Sequence, residues 1–108
     1  MKIDPDKLRH DLIEAGEAWA DADAACRALE NSKSSVIAQA ALPWLDSGKS
    51  YAYSEAQARG SAMVVNHLEE LAEANRVANL TRVRYEVAKI YVDLLRTQAA
   101  TLRAEMQL

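Results

Sequence analysis

Residues 78–108 read ANLTRVRYEVAKIYVDLLRTQAATLRAEMQL, thirty-one residues with neither glycine nor proline. Two apolar stripes run through them at helical spacing. The first is Tyr85, Ala88, Val92, Leu95, Ala99, Leu102 and Met106; the second is Leu80, Val83, Val87, Ile90 and Leu94. A helix with one apolar face packs on one neighbour, so two faces, read here as adjoining, ask for two. The predicted fold is therefore all-α: a long antiparallel helical hairpin with coiled-coil-like packing that self-associates, with a bend into a three-helix bundle as the alternative.

Composition agrees with this reading. The chain has 108 residues, enough for one domain with a modest core. Half of them are apolar, but only six are aromatic and none is Phe, while three glycines and two prolines are too few for a strand-and-turn protein. No apolar run approaches the roughly 18–20 residues of a membrane span, so no membrane is expected. MKIDPDK passes at once into charge, and no signal peptide is expected either. A single cysteine, Cys26, suits a reducing compartment. The expected location is the cytoplasm.

Upstream of the quoted stretch, Asp4 suits an N-cap and Pro5 a first helical position. Leu8, Leu12, Ala15, Trp19, Ala22, Cys26, Leu29, Lys33, Val36 and Ala40 then alternate in steps of four and three, a coiled-coil seam. Helix one is predicted over about 5–42. A break is expected at 31–35, where Asn31, Ser32, Ser34 and Ser35 compete for backbone hydrogen bonds. Pro43 ends the helix because the residue before a proline disfavours the α region. A loop over 43–53 follows, and Ser54-Glu55-Ala56-Gln57 has the capping-box form that opens helix two, over about 54–107. Asn75, Asn79 and Thr81 mark a possible bend at 75–81. If residue 40 faces about residue 58, Leu8 faces about residue 90 by equal rise. The overhang exposes Val92, Leu94, Leu95, Leu102 and Met106, forgoing roughly 1.5–3 kcal/mol for each large side chain. A second chain is the simplest cover, which makes Leu80, Val83, Val87, Ile90, Leu94, Leu95, Leu102 and Met106 the expected oligomer interface of a homodimer or larger assembly.

Charge is uneven. Residues 1–75 hold thirteen acids and seven Lys/Arg, giving −6; residues 76–108 hold three acids and six Lys/Arg, giving +3. Arg82, Lys89, Arg96 and Arg103 recur every seven residues, one basic line with a charge about every 10 Å, and Arg84 lies near it. These five residues are the candidate contacts for DNA or another anionic partner. The competing reading is a solvated flank, with Glu86 and Asp93 four residues after Arg82 and Lys89, and Asp4, Asp11, Glu14, Glu17 and Asp21 available across the hairpin.

Other residues carry less. Trp44, Leu45, Tyr51 and Tyr53 are candidate partner contacts near the loop. His10 and His67 lack the paired E-x-x-H order of a di-metal bundle, and no metal, cofactor or small-molecule substrate is expected. Cys26 on the seam reads as a small core residue without an assignable base. Gly48-Lys49-Ser50 ends like a phosphate-binding loop, but Pro43 occupies the first glycine position and no strand precedes it. No nucleophile–base or metal constellation points to an enzyme.

Ala74-Asn75, Arg82-Val83-Arg84-Tyr85-Glu86, Leu94-Leu95-Arg96 and Ala100-Thr101-Leu102-Arg103-Ala104-Glu105-Met106 resemble the C-terminal half of small all-helical accessory proteins of tailed bacteriophages and prophages. Trp19-Ala20-Asp21-Ala22-Asp23 and the Ser54-Glu55 start of helix two resemble them too. The resemblance implies a bacterial host cytoplasm and a setting in phage DNA recombination or replication, acting on DNA or through a recombinase-type partner. The alternative it leaves is an inhibitor of a host defence complex, in the manner of an anti-CRISPR decoy, using Asp11, Glu14, Asp21 and Asp23.

Overall fold

A computed structural model of the protein describes residues 4–107. It contains three helices, α1 (Pro5–Asp46), α2 (Tyr51–Arg59) and α3 (Ala62–Met106), and no strand among the described residues. The fold is an all-α helical hairpin. Two compact units can be distinguished, one of residues 23–77 and one formed by residues 1–22 together with 78–108.

α1 begins where the sequence places it. The Asp4 carboxylate accepts from the Asp6 and Lys7 amides at 3.0 and 3.4 Å, capping donors that have no intrahelical partner. The expected break at 31–35 does not occur, and α1 is unbroken through it. Ser32 shows why: its hydroxyl turns back onto the Leu29 carbonyl at 3.1 Å instead of drawing the backbone out of the helix.

Pro43 does not end α1 either. It sits inside the helix, which runs on to Asp46. Interior proline costs an amide hydrogen bond, but continuing for another turn lets Leu45 pack against Ala40, Ala41, Ala58 and Val64. Gly48 makes the actual stop. Its φ of +84° is the left-handed conformation that closes a Schellman turn, with the Gly48 amide donating to Leu45 O at 3.0 Å and the Lys49 amide to Trp44 O at 3.1 Å. This is the role of the Gly48-Lys49-Ser50 segment. Ser50 is the next cap, accepting from the Tyr53 amide at 3.2 Å, so the loop is residues 47–50 and not 43–53.

Ser54 is consequently not a cap but a fully buried residue inside α2, its hydroxyl donating to Ser50 O at 2.8 Å. Helix two is in fact two helices. Gly60 terminates α2, and the Ser61 hydroxyl accepts from the Val64 amide at 3.4 Å to start α3. The third helix arises here and not at 75–81, where α3 is continuous. Two of the three weak helix formers there have partners that leave the helix intact: Asn75 Oδ1 accepts from Cys26 Sγ at 2.9 Å, and Thr81 Oγ1 donates to Ala78 O at 3.0 Å.

Within the unit of residues 23–77, Ala40, Ala41, Ala58, Val64, Ser54, His67 and Leu71 are buried. Small residues dominate this set, so helices approach closely and little bulky side chain is needed. His67 is buried, whereas its apolar neighbour Leu68 is 40 % exposed. Its Nε2–H donates to the Leu29 carbonyl at 2.8 Å. Within the other unit, Trp19 and Tyr85 stack with centroids 5.3 Å apart and a 33° tilt, and Gly16 lies beneath the Tyr85 ring. Leu8 and Leu12 line one hollow with Val92 and Leu95, so Leu8 faces about residue 92–95 and not 90.

Candidate binding surface

α3 in the unit of residues 78–108 has an inner and an outer side. Tyr85, Ala88, Val92 and Leu95 are partly buried toward α1. Leu80, Val83, Val87, Ile90 and Leu94 stay 41–63 % exposed. At about 100° per residue the two stripes are centred about 150° apart, so they are nearly opposite and not adjoining. Leu95, counted among the oligomer contacts on sequence, belongs to the inner side. Leu102 and Met106 are open at 60 % and 80 %. No described part of α1 faces them.

The basic line occupies a third strip of α3, between the inner and outer sides. Arg82, Lys89, Arg96 and Arg103 are all exposed. Among the described residues, the ion pairs within 4.0 Å are Asp23–Arg27, Glu55–Arg59 and Glu73–Arg76, and the His10 imidazole lies 3.4 Å from the Glu14 carboxylate. None takes a member of the line. Neither Arg82–Glu86 nor Lys89–Asp93 forms such a pair. The acids of α1 do not reach it in the expected way either: Asp11 and Glu14 line a hollow with Ala15, Ala18, Thr81 and Arg84. Arg84 therefore faces carboxylates on the opposite flank of α3 and stands apart from the other four.

Across from the line, α1 contributes a cation instead. Arg9 and Arg96 line the same hollow, whose remaining walls are Pro5, Leu8, Leu12, Val92 and Leu95. Two arginines around a largely apolar hollow give that end of the line added positive charge. Sequence reasoning did not single out Arg9, because its place depends on the register between two helices.

The contact candidates near the turn are largely engaged within the chain. Trp44 and Tyr53 meet edge to face at 5.8 Å and 79°, with Lys49 Nζ 5.6 Å from the Tyr53 centroid. Leu45 is turned into the core. Tyr51, 71 % exposed, is the open one, and it lines a hollow with Ile37, Ala41, Leu42 and Leu45. Among the described residues no group of three or more His, Cys, Asp and Glu is placed to hold a metal ion. No described helix is long and apolar enough to cross a membrane.

Comparison with protein-family models, curated proteins and solved structures gives no significant match. The resemblance to phage accessory proteins rests on the quoted residues alone.

Proposed function

We propose that this is a non-enzymatic binding protein whose basic line on α3, extended by Arg9, docks on the phosphate backbone of DNA. The observation that carries the reading is the state of Arg82, Lys89, Arg96 and Arg103: four exposed cations on one strip, none in an ion pair within 4.0 Å among the described residues, with Arg9 beside Arg96. Such a strip gives sequence-independent, salt-sensitive affinity. Arg84, beside Asp11 and Glu14, has no part in it. The resemblance adds a setting: support of phage DNA recombination or replication in the bacterial cytoplasm, on DNA itself or through a recombinase-type partner.

Anisotropy titration of labelled single- and double-stranded DNA, at low and near-physiological salt, tests the proposal. Binding that weakens steeply with salt and is lost in Arg96→Glu/Arg103→Glu supports it. Absence of binding at low salt overturns it. A second reading, the inhibitor of a host defence complex, is favoured by the hollow where Asp11 and Glu14 stand beside Arg84. It calls for a protein partner and indifference to naked DNA.

A further inference from the structure

Burial is divided unequally between the two units. Every buried residue among those described lies in the unit of residues 23–77. α2 supplies two of them, Ser54 and Ala58, and Ala58 joins Ala40, Ala41 and Val64 in one core where all three helices meet. Hydrogen bonds from His67 to Leu29 O and from Cys26 to Asn75 Oδ1 link α1 to α3 in the same unit. The unit made from the two ends of the chain has only α1 and α3 to build with. Leu8, Leu12, Trp19, Tyr85, Val92 and Leu95 reach partial burial there, and no described residue of that unit goes further. Helices in proteins draw most of their stability from such packing, so this pair of arms is held by the weaker part of the fold.

We infer that the two arms, residues 5–22 and 78–95, part and close again while residues 23–77 stay folded, and that a DNA strand lying on Arg9 and Arg96 together latches them shut. The opening follows from the burial. Parting the arms uncovers no fully buried side chain, whereas opening between residues 23 and 77 uncovers the core and breaks both hydrogen bonds. The latch follows from the hollow that Arg9 of α1 and Arg96 of α3 line in common with Leu8, Leu12, Val92 and Leu95. Two cations carried by separate arms share that hollow only while the arms are paired. An anion touching both therefore binds the closed form more tightly than the open one and shifts the equilibrium toward it. The latch, unlike the opening, rests on the DNA reading proposed above. It makes DNA an effector of the protein's own order as well as its ligand.

Hydrogen exchange of the full chain, followed by mass spectrometry with and without duplex DNA, tests this. In the free protein, amides of residues 9–22 and 78–95 should exchange at least about ten-fold faster than those of 29–42 and 64–75. Equal rates in the two units overturn the proposal. With free DNA at about ten times its Kd, set by anisotropy, exchange across 9–22 should slow about ten-fold. Arg9→Gln brought to the same saturation should lose that slowing. DNA that binds but leaves 9–22 unchanged, or slows it equally in Arg9→Gln, overturns the latch. DNA that does not bind at all overturns the DNA reading and the latch with it, and the rates in the free protein still decide the opening.

Discussion

His67 Nε2 lies 2.8 Å from the Leu29 carbonyl oxygen and joins α3 to α1 through a buried side chain. A carbonyl only accepts, so Nε2 carries the hydrogen. The same oxygen also receives the Ser32 hydroxyl. Replacing His67 by Ala removes the bond and leaves a space at a buried position. The expected loss is about 1–3 kcal/mol, read by urea unfolding. His67→Gln, which keeps a donor, should lose less.

Gly16 behaves differently from an ordinary interior glycine. A Cβ there would meet the Tyr85 ring at 3.4 Å, which is ordinary contact. Gly16→Ala should therefore gain about 0.5–1 kcal/mol from helix propensity. Gly16→Leu should lose stability, because the larger side chain must displace Tyr85 from Trp19. Near-ultraviolet circular dichroism of the Trp19–Tyr85 pair separates the two outcomes.

At Gly48 the backbone itself is the constraint. With φ at +84°, Gly48→Ala should cost about 1–2 kcal/mol, although no atom lies within 4 Å of the added Cβ. Thermal unfolding checks this, with Gly48→Asn expected between the two.

Glu73 offers a titration test. Arg76 bonds its carboxylate at 2.7 and 3.0 Å, and this hydrogen bonding, with the attraction of the charge, holds the Glu73 carboxyl below its usual range. A carboxyl depressed in the folded state contributes stability above its unfolded pKa and loses it as pH falls through the folded one. Arg76→Gln should raise the Glu73 midpoint toward the ordinary value in a pH titration followed by NMR. Both groups are fully exposed, so the effect on overall stability should be slight.

The salt dependence of DNA binding can be estimated. Five phosphate contacts, Arg9 with the four residues of the line, give a slope of about −4.5 in log K against log salt on duplex DNA, and removing two cations should reduce it by about 2. Arg84→Gln should leave the slope unchanged, whereas Arg9→Gln should lower it by about 1.

Periodicity made much of the fold legible. Every seam residue named in α1, from Leu8 to Ala40 and including Lys33, is at least partly buried. Local end rules fared less well. The rule that proline stops a helix was outweighed at Pro43 by the packing of Leu45 two residues on, and the Ser32 hydroxyl is satisfied within the helix. Ser54 matches a capping box, but Ser50 lies four residues earlier, beside the glycine that ends α1. The burial of His67 was not legible because an imidazole does not count as apolar, yet its bond to Leu29 lets it sit inside. On the surface, the basic line was visible as a spacing of seven. The separation of Arg84 from it, and the approach of Arg9 to Arg96, needed the true register of α1 against α3, which equal-rise counting misplaces by two to five residues.

The division of the chain also bears on how it folds. Residues 23–77 are one unbroken run, whereas the other unit is assembled from both ends of the polypeptide. Leu29 meets His67 across 38 residues and Cys26 meets Asn75 across 49. Trp19 and Tyr85 stand 66 apart, from 85 − 19. Closing the longest span first would carry the largest entropic penalty, but once the shorter ones are shut only a few loose residues remain to be ordered at each further step. The chain is thus built to close as a zipper does, from the Gly48 turn toward its ends. Lesions near the turn should then slow folding, while lesions near Leu12 or Leu95 should hasten unfolding.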